Sequence, residues 1–145
     1  MLALAVVILL GLLGGVAVGL QSPVAGAMSQ RVGGIASSFI VHVGGAFISG
    51  ALLLLRGGER IGAWRSLSWY MLGAGAFGVV LYLTLSQTFP RLGATAALIL
   101  IILGQLVTGV AIDHFGLFGG VMRPLDAGRV GGLLLVIAGA YAILR

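Results

Sequence analysis

The sequence predicts an all-α integral membrane protein with five transmembrane helices. Of its 145 residues, 60% are hydrophobic and only 8% are charged, and the mean hydropathy is +1.22. Soluble domains carry roughly 25% charged residues, so this chain has too few charged side chains to cover the surface of a soluble domain. The eight basic and three acidic residues, which give a net charge of +5, are dispersed among the breaks between apolar runs rather than clustered on one basic face. Soluble, disordered, collagen-like and nucleic-acid-binding proteins are thereby excluded.

Five apolar segments each approach the ~20 residues that a helix needs to cross the hydrocarbon core of a bilayer. The connections between them are short, so we expect a single transmembrane domain over residues 1–145 with no soluble domain attached. The predicted helices cover about residues 2–28, 32–55, 67–89, 92–112 and 127–144.

The first apolar segment is followed by the small residues Ala25-Gly26-Ala27, which resemble the cleavage site of a secretory signal peptide. However, its start carries no positive charge, and the apolar run to Leu20 is longer than the ~7 to 15 residues of a signal-peptide core. We therefore expect the first helix to stay in the mature protein.

The first helix contains Gln21 beside Pro23, whose ring removes a backbone donor and frees a carbonyl nearby. A helix interrupted near mid-depth is typical of transporter substrate sites.

The later segments are bounded by residues that mark membrane interfaces. Trp64, Trp69 and Tyr70 stand where the third helix enters the membrane, as interfacial aromatic belts do, and Pro90-Arg91 predicts a tight turn before the fourth helix. With five crossings, one side of the membrane holds five arginines and the other holds three. The positive-inside rule favours a cytoplasmic N-terminus, but a difference of two arginines leaves both orientations open.

Glycine is abundant, at 26 of 145 residues. Small residues let helix backbones approach closely in lipid. Gly11, Gly15 and Gly19 form a double GxxxG on one face of the first helix, and Gly128 with Gly132 repeats the spacing in the fifth. We predict that these glycines pack helices, although glycine is also simply common in membrane helices.

Polar side chains in hydrocarbon need a partner or a wet cavity, and four of the predicted helices carry them. The first helix contributes Gln21, whereas the fifth contributes none in mid-span and suits packing or a dimer contact. The other stripes are Ser38, His42, Gly45 and Ser49 on the second helix, Gly75, Gly78, Tyr82 and Ser86 on the third, and Gln105, Thr108 and Gly109 on the fourth. Convergent stripes predict a polar cavity, with helix packing as the alternative role for Gln105 and Tyr82.

Titratable and metal-binding groups are scarce. No Asp, Glu, Lys or Arg lies at mid-span, so His42 is the side chain that could exchange a proton from there, with a structural hydrogen bond as its alternative role. Asp113-His114 has metal-ligand residue types without a third ligand nearby, so we expect a helix end satisfied by loop donors and no metal. The chain lacks cysteine and has no catalytic elbow, P-loop or dinucleotide fingerprint. We expect neither an enzyme nor a cofactor.

Several blocks resemble one known family. They are Trp69-Tyr70 with Gly73 and Gly78, the LGATAA run at 92–97, GQL at 104–106, IDHFGL at 112–117, and Arg129 to Gly132 with Gly139. These blocks, with Gln21 in the first helix, resemble the YdcZ-type family of inner-membrane exporters in the drug/metabolite transporter (DMT) superfamily. The resemblance covers nearly the whole chain and is strongest from Trp69 onward.

The resemblance implies properties that the residue patterns alone do not give. Members of the family are half-size DMT units of five helices, so this chain would form an antiparallel, inverted homodimer of dual topology in the bacterial inner membrane. The substrate site would lie near the bilayer midplane between the two copies. Gln21, Thr95, Gln105 and Asp113 match family blocks, whereas the role of His42 depends on the residue pattern alone.

These observations predict a secondary transporter that exports a small, neutral or amphipathic organic solute by alternating access. Its partners would be the lipid bilayer, a second copy of the chain and the solute, and not nucleic acid. The alternatives left open are a dual-topology channel and a structural or assembly subunit of a membrane complex. The expected substrate-binding residues are Gln21, His42, Tyr82, Thr95, Gln105 and Thr108, and Asp113 is expected at a structural helix end.

Overall fold

The computed structural model describes residues 2–145, with side chains from residue 3 onward. Over that range the chain contains helices, turns and no strand, which confirms the all-α prediction. Four helical stretches are long and apolar enough to cross a membrane. The α-helices are α1 (Leu2–Val32), α2 (Gly34–Leu55), α3 (Trp69–Leu72), α4 (Gly75–Phe115) and α5 (Ala127–Leu144).

The described residues form two compact units, one ending at Arg91 and the other covering Leu92–Arg145. The predicted single domain over 1–145 therefore stays a prediction, and its residue 1 lies outside the described range. The first unit contains α1, α2, α3 and the first half of α4. The second unit contains the rest of α4 together with α5.

The first connection is tighter than the sequence pattern predicts. Residues 29–31 continue α1 instead of leaving it, and α2 begins at Gly34. Between the two helices only Gly33 leaves helical geometry, at φ 88° and ψ 154°. An L-residue is disfavoured at this φ, and glycine is not. The turn is therefore located by its glycine and not by the polar residues before it.

The predicted third helix is divided, because its start forms the short α3 and a turn at residues 73–74 precedes α4. The rest of it and the predicted fourth helix lie within α4, in which one residue breaks the helical geometry. At 1.5 Å per residue, the 41 residues of α4 would extend about 60 Å, twice the ~30 Å hydrocarbon core. The break is at Gly93, with φ 78° and ψ 174°, and not at the predicted Pro90-Arg91. Proline has a φ compatible with a helix, whereas the positive φ requires glycine, so the chain leaves helical geometry three residues after the proline.

Small residues make up most of the core of the first unit, with Tyr82 and Leu85 as the large side chains. The small buried residues are Ser22, Ala25, Gly26, Ser29, Ser37, Ser38 and Ser86. By contrast, the large side chains of α1 from Leu4 to Leu20 are exposed. In a bilayer this outer surface is compatible with lipid, while the small buried residues allow the helix backbones to approach.

Candidate functional site

A cavity of about 360 Å³ lies within the first unit. It is lined by Gln21 and Ala25 of α1, by His42 of α2, and by Gly78 and Tyr82 of α4. The remaining lining residues are Val41, Gly45, Leu81 and Leu85. Three of the predicted binding residues, Gln21, His42 and Tyr82, therefore meet at one cavity, although they come from three different helices.

The imidazole of His42 is held in a fixed orientation by its own helix. Its Nδ1 lies 2.7 Å from the backbone oxygen of Ser38. A carbonyl oxygen can only accept, so Nδ1 carries a proton and donates it. The Ser38 hydroxyl is also near Nδ1, at 3.4 Å. The structural hydrogen bond considered for His42 is present, and it leaves the second ring nitrogen, Nε2, for other contacts.

The Nε2 side of the ring faces a glycine on α4. A Cβ atom added at Gly78 would lie 3.0 Å from His42 Nε2, which is closer than an ordinary van der Waals contact. The His42 ring also meets the Tyr82 ring edge-on, with centroids 6.2 Å apart and planes at 67°. The absence of a side chain at Gly78 therefore makes room for the imidazole beside the cavity.

Tyr82 connects α4 to α1. The side chain is 4% exposed, and its hydroxyl donates to the backbone oxygen of Ala25 across 3.4 Å. Ala25 lies two residues after Pro23, and α1 continues through both. The tyrosine hydroxyl thus forms a hydrogen bond between α4 and α1. The aromatic ring of Tyr82 is the part that can pack against a ligand in the cavity.

Two serines of the predicted stripes, Ser49 and Ser86, do not line this cavity and donate to carbonyls of their own helices instead. Ser86 donates to Leu83 O at 2.7 Å, and Ser49 donates to Gly45 O at 2.9 Å. The other buried hydroxyls of α1 and α2 behave similarly, with Ser22, Ser29 and Ser37 bonded to their own helices. A hydroxyl satisfied in this way acts in packing as a small side chain.

Close helix packing uses glycines other than those of the GxxxG motifs. An added Cβ at Gly26 would lie 3.0 Å from Phe89, and one at Gly34 would lie 3.1 Å from the Ser86 hydroxyl. At Gly11, Gly15, Gly19 and Gly132 it would meet nothing within 4 Å, and at Gly128 it would meet only Asp126 Oδ1 at 3.2 Å. Gly26 and Gly34 were not predicted from the sequence, because neither forms a GxxxG pair on its own helix.

A second cavity, of about 220 Å³, adjoins His42 in the same unit. Ser38 and the apolar residues Ile35, Phe39, Val79 and Leu83 line it. The His42 side chain belongs to the walls of both cavities.

The second unit contains a groove of about 370 Å³ between the later part of α4 and α5. At its polar end, an Arg129 nitrogen lies 3.4 Å from Asp113 Oδ2. A second Arg129 nitrogen donates to the backbone oxygen of Arg123 at 3.1 Å. The rest of the groove is lined by Leu106, Gly109, Val110, Gly132, Leu133 and Val136. Arg129 belongs to one of the family blocks, but its pairing with Asp113 was not predicted from the sequence.

Loop donors satisfy the end of α4. The backbone N–H of Arg123 donates to Asp113 O at 2.7 Å, and that of Leu125 donates to His114 Nδ1 at 3.1 Å. Asp126 caps α5, because its Oδ1 accepts from Arg129 N at 2.8 Å. Among residues 2–145, no three His, Asp or Glu side chains come together as a metal site would require.

Three predicted binding residues lie in the second unit and away from the groove lining. Thr95, Gln105 and Thr108 are exposed, and the Thr108 hydroxyl donates to Gly104 O at 2.9 Å. Their roles in binding remain predictions.

The chain was compared with known proteins. A family model described as "Putative inner membrane exporter, YdcZ" matches residues 6–142, whereas neither a curated protein nor a solved structure gives a significant match. The family match confirms the resemblance inferred from the sequence blocks, and it is to a family of exporters rather than of enzymes. Together with the four apolar helical stretches, it identifies a multi-pass protein of the inner membrane. The chain therefore belongs to the YdcZ family of inner-membrane exporters, within the DMT superfamily.

Proposed function

We propose that this protein exports a small organic solute and binds it in the cavity lined by Gln21, His42 and Tyr82. The observation that carries the proposal is the convergence of these three side chains, from three helices, on one cavity of about 360 Å³. Small-molecule sites are concave, mostly apolar and provided with a few polar groups that orient the ligand. The apolar walls of Val41, Leu81 and Leu85 supply the first part of this pattern, and Gln21 and His42 supply the second.

We further propose that the working unit is an antiparallel homodimer that moves the solute by alternating access. The family resemblance suggests an inverted pair, and the five-against-three arginine count is compatible with insertion in both orientations. The exposed glycine face at Gly11, Gly15 and Gly19, where an added Cβ meets nothing within 4 Å, has room for a helix of a second copy.

The test of transport begins with binding. The purified full chain is screened by thermal shift against metabolites and drugs, since a ligand that binds only the folded state stabilises it by RT ln(1 + [L]/Kd). Hits are then assayed for counterflow in proteoliposomes. We expect saturable binding and exchange, with an affinity that is lowered in His42→Phe and Gln21→Ala and unchanged in Thr84→Val. Thr84 is the matched control because its exposed hydroxyl bonds only to Val80 O in its own helix.

The results also separate the two alternative functions. Flux without saturation or exchange would indicate a channel. A folded protein with neither binding nor flux would indicate a structural or assembly subunit. Either result would refute the proposal.

The test of dual topology uses cysteine labelling, because the native chain contains no cysteine. A single cysteine is introduced at Arg145. In intact cells a membrane-impermeant reagent should label the copies whose C-terminus faces outward, and a second reagent added after permeabilisation should label the remaining copies. Labelling from one side only would refute insertion in both orientations.

A further inference from the structure

Among the described residues, none forms a hydrogen bond with the Nε2 atom of His42, and this atom is accessible. Nδ1 donates to Ser38 O at 2.7 Å, and no hydrogen bond of Nε2 occurs among the described residues. In residues 2–145, every buried side-chain nitrogen or oxygen of a non-exposed residue has a partner. The unpartnered Nε2 of the half-buried His42 is therefore not a buried atom and retains some accessible surface.

The hydrogen bond that Nδ1 donates determines whether Nε2 can donate or accept a hydrogen bond. When Nδ1 carries the proton of a neutral imidazole, Nε2 carries the lone pair and accepts a hydrogen bond. The hydroxyl proton of Tyr82 is already used at Ala25 O. Of the other cavity side chains only the Gln21 amide has polar atoms, and it can both accept and donate. The fixed polar atom of this cavity is thus an acceptor.

The cavity offers a ligand no carboxylate, ammonium or guanidinium group. None of its lining residues is Asp, Glu, Lys or Arg, and the first unit contains a single carboxylate, Glu59, in the loop after α2. Tyr82 is the titratable group that faces His42 from α4, and Gln21 lines the cavity from α1. A charged ligand would leave water with no Asp, Glu, Lys or Arg side chain of the cavity to pair with it, and burying a charge without such a pair is costly.

We infer that the cavity binds a neutral solute that presents a hydroxyl or N–H donor to His42 Nε2 from a compact apolar body. This inference rests on the proposed function and names the substrate class of the same site. The volume of about 360 Å³ is near the small end of ligand sites. Val41, Leu81 and Leu85 would cover the apolar body, and the absence of side chains at Gly45 and Gly78 keeps the space beside the imidazole open.

The test uses pairs of probes that differ only in the donor. Phenol is compared with anisole, indole with 1-methylindole, and benzyl alcohol with benzyl methyl ether; benzylamine and benzoate represent charged ligands. Affinities are measured by thermal shift on the purified full chain. One hydrogen bond of this kind corresponds to about 3- to 10-fold in affinity, so we expect each donor to saturate and to bind tighter than its methylated partner by that factor.

Variants assign the difference to the imidazole. His42→Phe keeps a ring but has no acceptor, so the donor preference should disappear. His42→Gln has an amide oxygen and should recover part of it, and Thr84→Val should resemble wild type. Non-specific partition of the probes into detergent would be equal in all four proteins, so it cannot produce this pattern.

The inference is overturned if methylated probes bind as tightly as the donors, if a charged probe binds best, if His42→Phe keeps the donor preference, or if no donor saturates. Failure of the proposed function gives a different result. Donor-selective binding without exchange in proteoliposomes would refute transport and keep the ligand class. Saturable exchange of solutes without a donor would refute the ligand class and keep transport.

Discussion

Gly78→Ala tests the geometry of the cavity where α4 lies against the His42 imidazole. The new methyl carbon would lie 3.0 Å from His42 Nε2 and 3.8 Å from its Cδ2. Ordinary contacts begin near 3.4 Å, so the ring must move by a few tenths of an ångström against its 2.7 Å bond to Ser38 O. The methyl group would also cover the approach to Nε2 from which a ligand would donate.

The expected changes in stability and in affinity differ in size. Tilting the imidazole costs about 0.5–1.5 kcal/mol, while replacing glycine by alanine within a helix recovers up to about 1 kcal/mol. The two nearly cancel, so the free energy of unfolding should change by less than about 1 kcal/mol. Loss of the ligand hydrogen bond is worth about 0.5–1.5 kcal/mol and has no compensation, so a donor probe such as phenol should bind about 3- to 10-fold more weakly.

The assay is the thermal-shift titration with phenol and anisole on wild type, Gly78→Ala and a matched control. Gly44→Ala is the control, because a Cβ there meets nothing within 4 Å and Gly44 is not part of the cavity lining. We expect Gly78→Ala to lose the preference for phenol and Gly44→Ala to keep it. Wild-type phenol affinity in Gly78→Ala would refute the assignment of Nε2 as the ligand contact.

Other predictions concern packing and the ion pair. Asp113→Asn should lower the free energy of unfolding by no more than about 1 kcal/mol, because the pair with Arg129 is partly exposed. Arg129→Ala should cost more, since it also removes the bond to a loop carbonyl; equal thermal unfolding of the two variants would contradict this. Tyr82→Phe should cost about 0.6 kcal/mol for one long interhelical hydrogen bond, and a loss above 2 kcal/mol in the same measurement would show that the hydroxyl does more. Gly26→Leu should prevent folding because a side chain collides with a neighbouring helix, whereas Gly15→Leu should leave the monomer folded and weaken only crosslinking between copies; a misfolded Gly15→Leu monomer would contradict the open space at that position.

Composition and local pattern were enough to define the class of protein and most of its helices. Runs of apolar residues are a property of the chain itself, and a bilayer admits such runs as helices because every backbone group is then satisfied within the segment. The fifth helix has the predicted bounds, Ala127–Leu144. The bounds predicted from polar residues were less accurate, because a turn depends on which residue can take a positive φ. Gly33 and Gly93 do so, while Arg31 and Pro90 remain within helices.

The residues of the candidate site were predicted from the sequence, but their spatial arrangement was not. The sequence marked Gln21, His42 and Tyr82 as residues that lipid should exclude, since polarity is local information. It could not show that the three share one cavity, or that the serines of the same stripes bond to their own helices. A serine hydroxyl can reach the carbonyl of the preceding turn, whereas the rigid imidazole leaves one nitrogen free.

The sequence by itself determined that this chain lies in a membrane, that it consists of apolar helices, and which family it resembles. The tertiary structure decided which glycines are in close contact, which nitrogen of His42 is free, and that Arg129 meets Asp113. The physical reason is that hydrophobicity and helix formation act over a few neighbouring residues, whereas the close contacts of Gly26, Gly34 and Gly78 depend on helix faces brought together from distant parts of the chain.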